Sequence, residues 1–310
     1  LYQLLTQKAE ALTNVTIHYN CIVQDIFTDQ KAIDILNDGK KKYWKYDFLI
    51  GADGVRSKVA NHLNRNGKIN HVLENNHYRE IRIQENLWER DKFHYWHSPQ
   101  AMIGAFPVHE GGFSLFLVHQ NKYMQDLLIN KDTHLFDTLF PGIRQSVPDI
   151  RERLKNSRGG FLGSLNAQNW HHSNHIVIMG DAAHAMLPFM GQGLNTGLED
   201  LWFLNKIIDQ QGKTSTELLQ EFTRHRQEQA SAIRKISENQ FCYLTGKYTA
   251  TDYAIKHLSD RYLLANDLPT TYMGCAFSLD PFKDILDREE KLHASFTESQ
   301  IKEELEAMNH

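Results

Sequence analysis

The residues best placed for chemistry lie in GDAAHAMLPFMGQGLNTGLED, positions 180–200. Asp181 follows HIVIMG (175–180), a β-branched run with the composition of a short strand buried on both faces. A carboxylate at a strand end sits where open α/β sheets hold ligands. Pro188, Phe189 and Met190 then lead through Gly191, Gln192, Gly193, Leu194 and Asn195 into TGLEDLWFLNKII, whose apolar spacing is helical. A glycine-rich turn feeding a helix N-terminus aims backbone N–H groups and the positive dipole end at anything anionic. The stretch therefore reads as a strand, a carboxylate and an anion-binding helix start. LIGADGVRSKVA (49–60) repeats the plan with Asp53 and Gly54 at a strand end. Asp53 does not attract phosphate itself; it fixes the turn and orients Arg56, whose planar fork takes phosphate.

Other candidates are weaker. WHHSNH (170–175) holds three histidines but no carboxylate or cysteine at ligand spacing, so it reads as a polar loop before a buried strand. His184, inside DAAHA, reads as a structural helix histidine. No acid–base pair and no metal site stand out.

These motifs need elements to hold them. The chain has 310 residues, enough for two domains or one with an insertion. With 34 basic and 38 acidic residues the net charge is −4, which carries no nucleic-acid or anionic-membrane footprint. Cys21, Cys242 and Cys275 are odd in number and far apart, as in a reducing, cytoplasmic compartment. No apolar run reaches the roughly 18–20 residues of a membrane span. The pattern predicts a helix over 1–12, one or two strands in 15–29, and a hairpin in 32–54 turning at Asn37-Asp38-Gly39. Four successive strands follow in 78–120, then helices in 121–158 broken at Pro141 and Pro148. The strand and turn of 175–195 come next, with a helix from Thr196 to about Gln211. A long helix over 215–248 and one or two charged helices over 282–310 complete the chain.

LIGADGVRSKVA and VIMGDAAHAMLPFMGQGLNTGLED together resemble the two downstream fingerprints of the group A FAD-dependent aromatic monooxygenases. The longer string, HYWHSPQAMIGAFP (94–107), FPGI (140–143) and PTTYMGCAFS (269–278) are most similar to the kynurenine 3-monooxygenases within that class. The resemblance implies an α/β (mixed α+β) fold: a three-layer FAD-binding α/β part, an antiparallel-sheet substrate domain and C-terminal helices. It divides the chain into FAD-binding portions at 1–70 and 161–212, a substrate-binding sheet at 71–160 and a helical region at 213–310. The class opens with a strand–GxGxxG–helix unit for the ADP half of FAD. The chain has no such motif and begins at Leu1 in an amphipathic helix, so an upstream segment is expected, carrying also an arginine and a tyrosine for the substrate carboxylate.

By the same resemblance, NADPH and dioxygen serve FAD in hydroxylating a small aromatic substrate, most closely L-kynurenine; another aromatic acid, or a non-catalytic fragment that binds no FAD, are the alternatives. Asp181 takes the role of acceptor for a ribityl hydroxyl. Gly191, Gln192, Gly193, Leu194 and Asn195 face the flavin pyrimidine edge, with Pro188, Phe189 and Met190 running past the ring. Asp53, Gly54 and Arg56 serve the cofactor phosphates. Asn239, Tyr243 and Tyr272 surround the substrate's amino-acid end, and Phe106, Tyr95 and Trp96 lie on strands that wall the pocket or its core. The oligomeric state is left open.

Overall fold

The computed structural model describes all residues except 66–68, 99–100, 132, 213 and 309–310; of 69–75, 121 and 211 only the backbone is described. Pro99 and Gln100 of the 94–107 segment, Asp132 and the last two residues thus lie outside the described residues. Helix α1 (Tyr2–Glu10) leads to a meander of β1 (Cys21–Phe27), β2 (Ala32–Asn37) and β3 (Lys40–Lys45). Asn37 pairs with Lys40 across Asp38 and Gly39, both at positive φ as a type I′ turn requires. Residues 15–20 are not strand, because Asn20 at φ +55° turns the backbone out of line just before Cys21.

KYWKYDFLIG does not form one strand. The hairpin ends where Tyr46 N–H bonds Lys31 O, and Leu49 N–H then bonds His175 O. This starts β4 (Leu49–Gly51) in a different sheet. Helix α2 (Lys58–Leu63) follows it.

The largest sheet is antiparallel, in the order β6 (His94–His97), β7 (Ala101–Pro107), β8 (Phe113–Gln120), β5 (Ile69–Ile83), β9 (Gly159–Ala167). Strand β9 was not expected: its three glycines give it little intrinsic strand propensity. Pairing with β5 supplies what the sequence lacks. Alternation sorts the sheet's two faces. Ala101, Ile103 and Ala105 of β7 and Phe113, Leu115 and Leu117 of β8 pack with Phe136 of α3 (His134–Leu139), Phe140, Ile143 of α4 (Ile143–Ser146), and Ile150 and Leu154 of α5 (Ile150–Asn156). Pro141 and Pro148 separate these helices, as expected. Met102 and Val118 point the other way, onto Leu187 and Phe241.

The small sheet runs β10 (His171–His172), β11 (Ile176–Ile178), β4, with β11 parallel to β4. Every residue of β11 is buried, as the run of β-branched residues implies. Helices α6 (Asp181–His184), α7 (Gly193–Gln211) and α8 (Thr216–Leu244) follow, and Trp170, Ala182, Leu204, Ile207, Leu218 and Phe222 close a core over this sheet. The opposite side of α7, with Leu194, Leu198, Leu201 and Trp202, is exposed. A third core joins Met190 and α8 to α10 (Thr271–Phe277) and α11 (Phe282–Ser295) through Ile233, Ile236, Cys275 and Ile285, while α9 (Ala250–Ala265) packs on α11 and α12 (Glu298–Met308) on α9. The protein is thus a mixed α/β fold with antiparallel sheets and C-terminal helices. Among the described residues no helix is long and apolar enough to cross a membrane.

Candidate functional site

Two residues past the end of strand β11 lies Gly180, whose φ +57° and ψ −144° fall in a region that residues with a Cβ avoid. The chain turns there because α7 passes close: a Cβ added at Gly197 would stand 3.6 Å from the Gly180 Cα. Asp200, fully buried one turn further along α7, locks the crossing. Its Oδ2 accepts from the Gly180 N–H at 2.9 Å and from His184 Nε2 at 2.6 Å, and its Oδ1 from Arg226 Nε at 2.7 Å. Arg226 also donates to Thr196 O at 3.2 Å and Glu199 Oε2 at 3.0 Å. Burial pushes the Asp200 carboxyl up, but the His184 bond, the His184 and Arg226 charges and the Gly180 N–H outweigh it and hold it below its ordinary value. His184 stacks on Trp170 at 5.1 Å and is structural, in keeping with its helix position.

This clamp fixes what lies on the other side of the crossing. Asp181 opens α6, is exposed, and has no hydrogen-bond partner among the described residues. Gly191, at φ +66°, ends the short 3₁₀ turn Pro188–Met190, and nothing lies within 4 Å of where its Cβ would be. Helix α7 starts directly after it. No side chain caps that start: the Gln192 amide is occupied by Asn195 Nδ2 at 2.9 Å, and the first helical bond is Thr196 N–H to Gln192 O. The amides of Gly193, Leu194 and Asn195 therefore point out of the helix end without intrahelical acceptors, at the positive end of a 19-residue helix. The exposed carboxylate and the open donors thus belong to two segments that meet at the Gly180–Gly197 crossing.

The same segment borders a second feature. Met190 lines a narrow cleft together with Asn239, Tyr243 and Tyr272, so the structure brings these four predicted residues together. Phe189 turns away to stack on Phe241 at 4.9 Å, and Pro188 is exposed. Phe106 is not in the cleft wall. It sits among Phe93, Tyr95 and Phe116 at 5.1–6.0 Å; burial and, after it, the charge of Tyr272 raise the Tyr95 hydroxyl above its ordinary value. Trp96 lies on the opposite sheet face, bonded to Pro141 O, because neighbours on a strand alternate.

Asp53 anchors a turn. Its Oδ1 accepts from Ser57 Oγ at 2.5 Å and its Oδ2 from Lys58 N–H at 2.7 Å, capping α2; Gly54 at φ +78° makes the bend. Arg56 is exposed, and among the described residues no hydrogen bond or ion pair joins it to Asp53. Asp53→Ala is expected to cost about 1 kcal/mol of stability, the usual price of a lost cap. Chemical denaturation with and without ligand measures it; a ligand-affinity loss with unchanged stability would place Asp53 at the ligand instead.

Asp200, Arg226, Lys256, Thr271 and Glu289 are absent from the sequence expectations. Two of the charged ones had a signal. Arg226 interrupts the stripe Leu219, Phe222, Ala230, Ile233 of α8, and Glu289 extends the stripe Phe282, Ile285, Leu286 of α11. A charge on a buried stripe calls for a buried partner.

Comparison with known proteins follows the same outline. The chain is 26% identical over 245 residues to the kynurenine 3-monooxygenase of Flavobacterium johnsoniae, covering 72% of this chain and 55% of that protein. It is 28% identical over 251 residues to the kynurenine 3-monooxygenase of Legionella pneumophila, covering 78% and 56%. It thus spans just over half the length of these relatives. A salicylate hydroxylase–substrate complex superposes with a TM-score of 0.66 at 17% identity, over 96% of this chain and 76% of that one. The probable FAD-dependent monooxygenase PqsL of Pseudomonas aeruginosa gives 0.63 at 16% identity, over 78% and 68%. These superpositions carry the fold, and the family rests on the match of residues 1–237 to the FAD binding domain: the chain belongs to that family.

Proposed function

We propose that this chain forms the flavin-facing and substrate-facing part of an FAD-dependent aromatic hydroxylase that uses NADPH and dioxygen, and that its reaction converts L-kynurenine to 3-hydroxykynurenine. One observation carries the reading: segment 188–195 joins an open, uncapped helix start to a cleft lined by Met190, Asn239, Tyr243 and Tyr272, with Asp181 next to Gly180, which packs on Gly197 of the same helix. The three free cysteines fit a reducing, cytoplasmic setting.

The residues present fit the flavin and ribityl end of FAD, which supplies the hydride acceptance and oxygen activation that no side chain offers. The Gly193, Leu194 and Asn195 amides, with the α7 dipole, stabilise negative charge on an adjoining ring edge. Asp181 accepts from a sugar hydroxyl. Met190 and Ile236 keep water from the side of the cleft they share. Asn239, Tyr243 and Tyr272 offer neutral groups that both donate and accept to the polar end of a substrate. An aniline substrate activates its own ortho carbon, so the chain needs no strong base.

The absorbance spectrum of the purified intact protein, with and without kynurenine, tests this. A flavin spectrum that shifts on kynurenine, and NADPH oxidation faster with kynurenine than with salicylate or hydroxybenzoate, are expected. Faster turnover of another aromatic acid would move the substrate, and a colourless protein that takes up no FAD would remove the enzyme. Asp181→Ala is expected to weaken FAD binding by roughly 1–3 kcal/mol, the cost of a charged hydrogen bond. Fluorescence titration of the apoprotein reads this out, and an unchanged dissociation constant would take Asp181 out of the site.

A further inference from the structure

The cleft holds charges that a neutral aromatic substrate does not need. Glu289 lines it from α11, with its side chain 6% exposed, and Lys256 lines it from α9 at 11%. Lys256 Nζ donates to Asp260 Oδ1 at 2.7 Å and stands 4.0 Å from Glu289 Oε1. The same Oε1 accepts from the Thr271 hydroxyl at 2.8 Å and lies 4.0 Å from His293 Nε2. All of these contacts use Oε1, so among the described residues Oε2 is the oxygen left for a ligand.

Two carboxylates therefore share one ammonium. Burial lowers the His293 pKa, which keeps the imidazole neutral near pH 7. The other charged neighbours are engaged elsewhere: Arg288 donates to Pro269 O, and Glu290 pairs with Lys235. The surplus negative charge is felt locally: burial and then Glu289 raise the Tyr248 hydroxyl, and the same two causes push the Cys275 thiol up to about 12. A carboxyl group held away from water with an incomplete set of partners is a site for a cation.

We propose that Glu289 binds the α-ammonium group of an amino-acid substrate, Lys256 being held by Asp260, so that the cleft selects a substrate that carries an amino group. This deepens the proposed function and rests on it, since it takes the Asn239–Tyr243–Tyr272 cleft as the substrate site. Phenols and amides alone would accept any aryl acid; Glu289 makes the amino group count.

Calorimetric titration of the flavin-loaded intact protein with L-kynurenine and with its desamino analogue, the same aryl keto acid without the α-amino group, tests the assignment. The wild-type protein is expected to bind kynurenine about tenfold or more tightly, the scale of a charge-assisted hydrogen bond. Glu289→Gln, which keeps the shape and a partner for Thr271, is expected to abolish that preference while changing the analogue's affinity by less than about threefold. A wild-type protein that binds both ligands equally overturns the assignment without any variant. So does a Glu289→Gln protein that retains the preference or loses both ligands alike. If the wild-type protein binds neither ligand, the proposed function itself falls and the role of Glu289 with it.

Discussion

Asp200→Asn is expected to destabilise the protein by roughly 3–5 kcal/mol, the cost of breaking a buried ion pair from one side, and to lower the thermal midpoint by on the order of 10 °C. Three donors converge on the two carboxylate oxygens: Gly180 N–H, His184 Nε2–H and the Arg226 guanidinium. An amide has one acceptor oxygen, so its NH₂ must face at least one of these donors, and Arg226 keeps a buried charge with only exposed Glu199 to balance it. Replacing both partners, Asp200→Asn with Arg226→Met, is expected to cost less than the two single changes added together, because no unpaired charge remains. The pH profile should change as well. The folded-state pKa of Asp200 lies below 3.8, so its contribution is complete above that value and is lost as pH falls through the folded value. The variant loses this acid limb. It keeps the earlier one, which begins as pH falls below 6.5 and comes from histidines such as His119 whose pKa burial lowers. A variant melting within about 2 °C of wild type, with the same acid profile, would show that the crossing of β11 and α7 is held by packing alone.

What the sequence reveals and what it hides divide along a physical line. Short-range signals are legible. The Asn37-Asp38-Gly39 turn, the all-buried β11, the glycine turn into α7 and the strand runs of β7 and β8 are each dictated within a few residues. Asn239, Tyr243 and Tyr272 were found only through a family pattern, because they meet from α8 and α10 and no local rule joins them. Non-local pairing stays hidden. Strand β9 forms because β5 offers it an edge, and KYWKYDFLIG splits because Lys31 and His175, far apart in sequence, compete for its two ends. Helix α7 shows a limit of periodicity: its apolar positions mark two faces, and nothing in their spacing says that Leu204 and Ile207 are buried while Leu198, Leu201 and Trp202 are not. The buried charges were readable in principle, since Arg226 and Glu289 both break apolar stripes, but the stripe predicts that a partner exists without naming it.

Gly180→Val is expected to remove both FAD binding and about 3 kcal/mol or more of stability, whereas Gly191→Asn should spare the fold. Both glycines have positive φ, but their constraints differ. Gly191 sits at φ +66° and ψ +17°, the left-handed region that Asn also adopts, with open space where a Cβ would project. Its replacement costs on the order of 1 kcal/mol and puts a side chain beside the open amides of α7, so it should weaken ligand binding in a protein that still folds. Gly180 combines φ +57° with ψ −144°, which no β-branched residue adopts without strain of roughly 1–3 kcal/mol. Its neighbour across the crossing is Gly197, so branched Cγ atoms reach the α7 backbone that a bare Cβ only touches. Relief requires Gly180 to flip, which withdraws its N–H from Asp200 and reorients Asp181. Paired thermal melts and flavin titrations of the two variants separate these effects. If Gly180→Val melted like Gly191→Asn, the backbone at Gly180 would be free to change without the clamp, and the strand end would not be what aims Asp181 at the ligand.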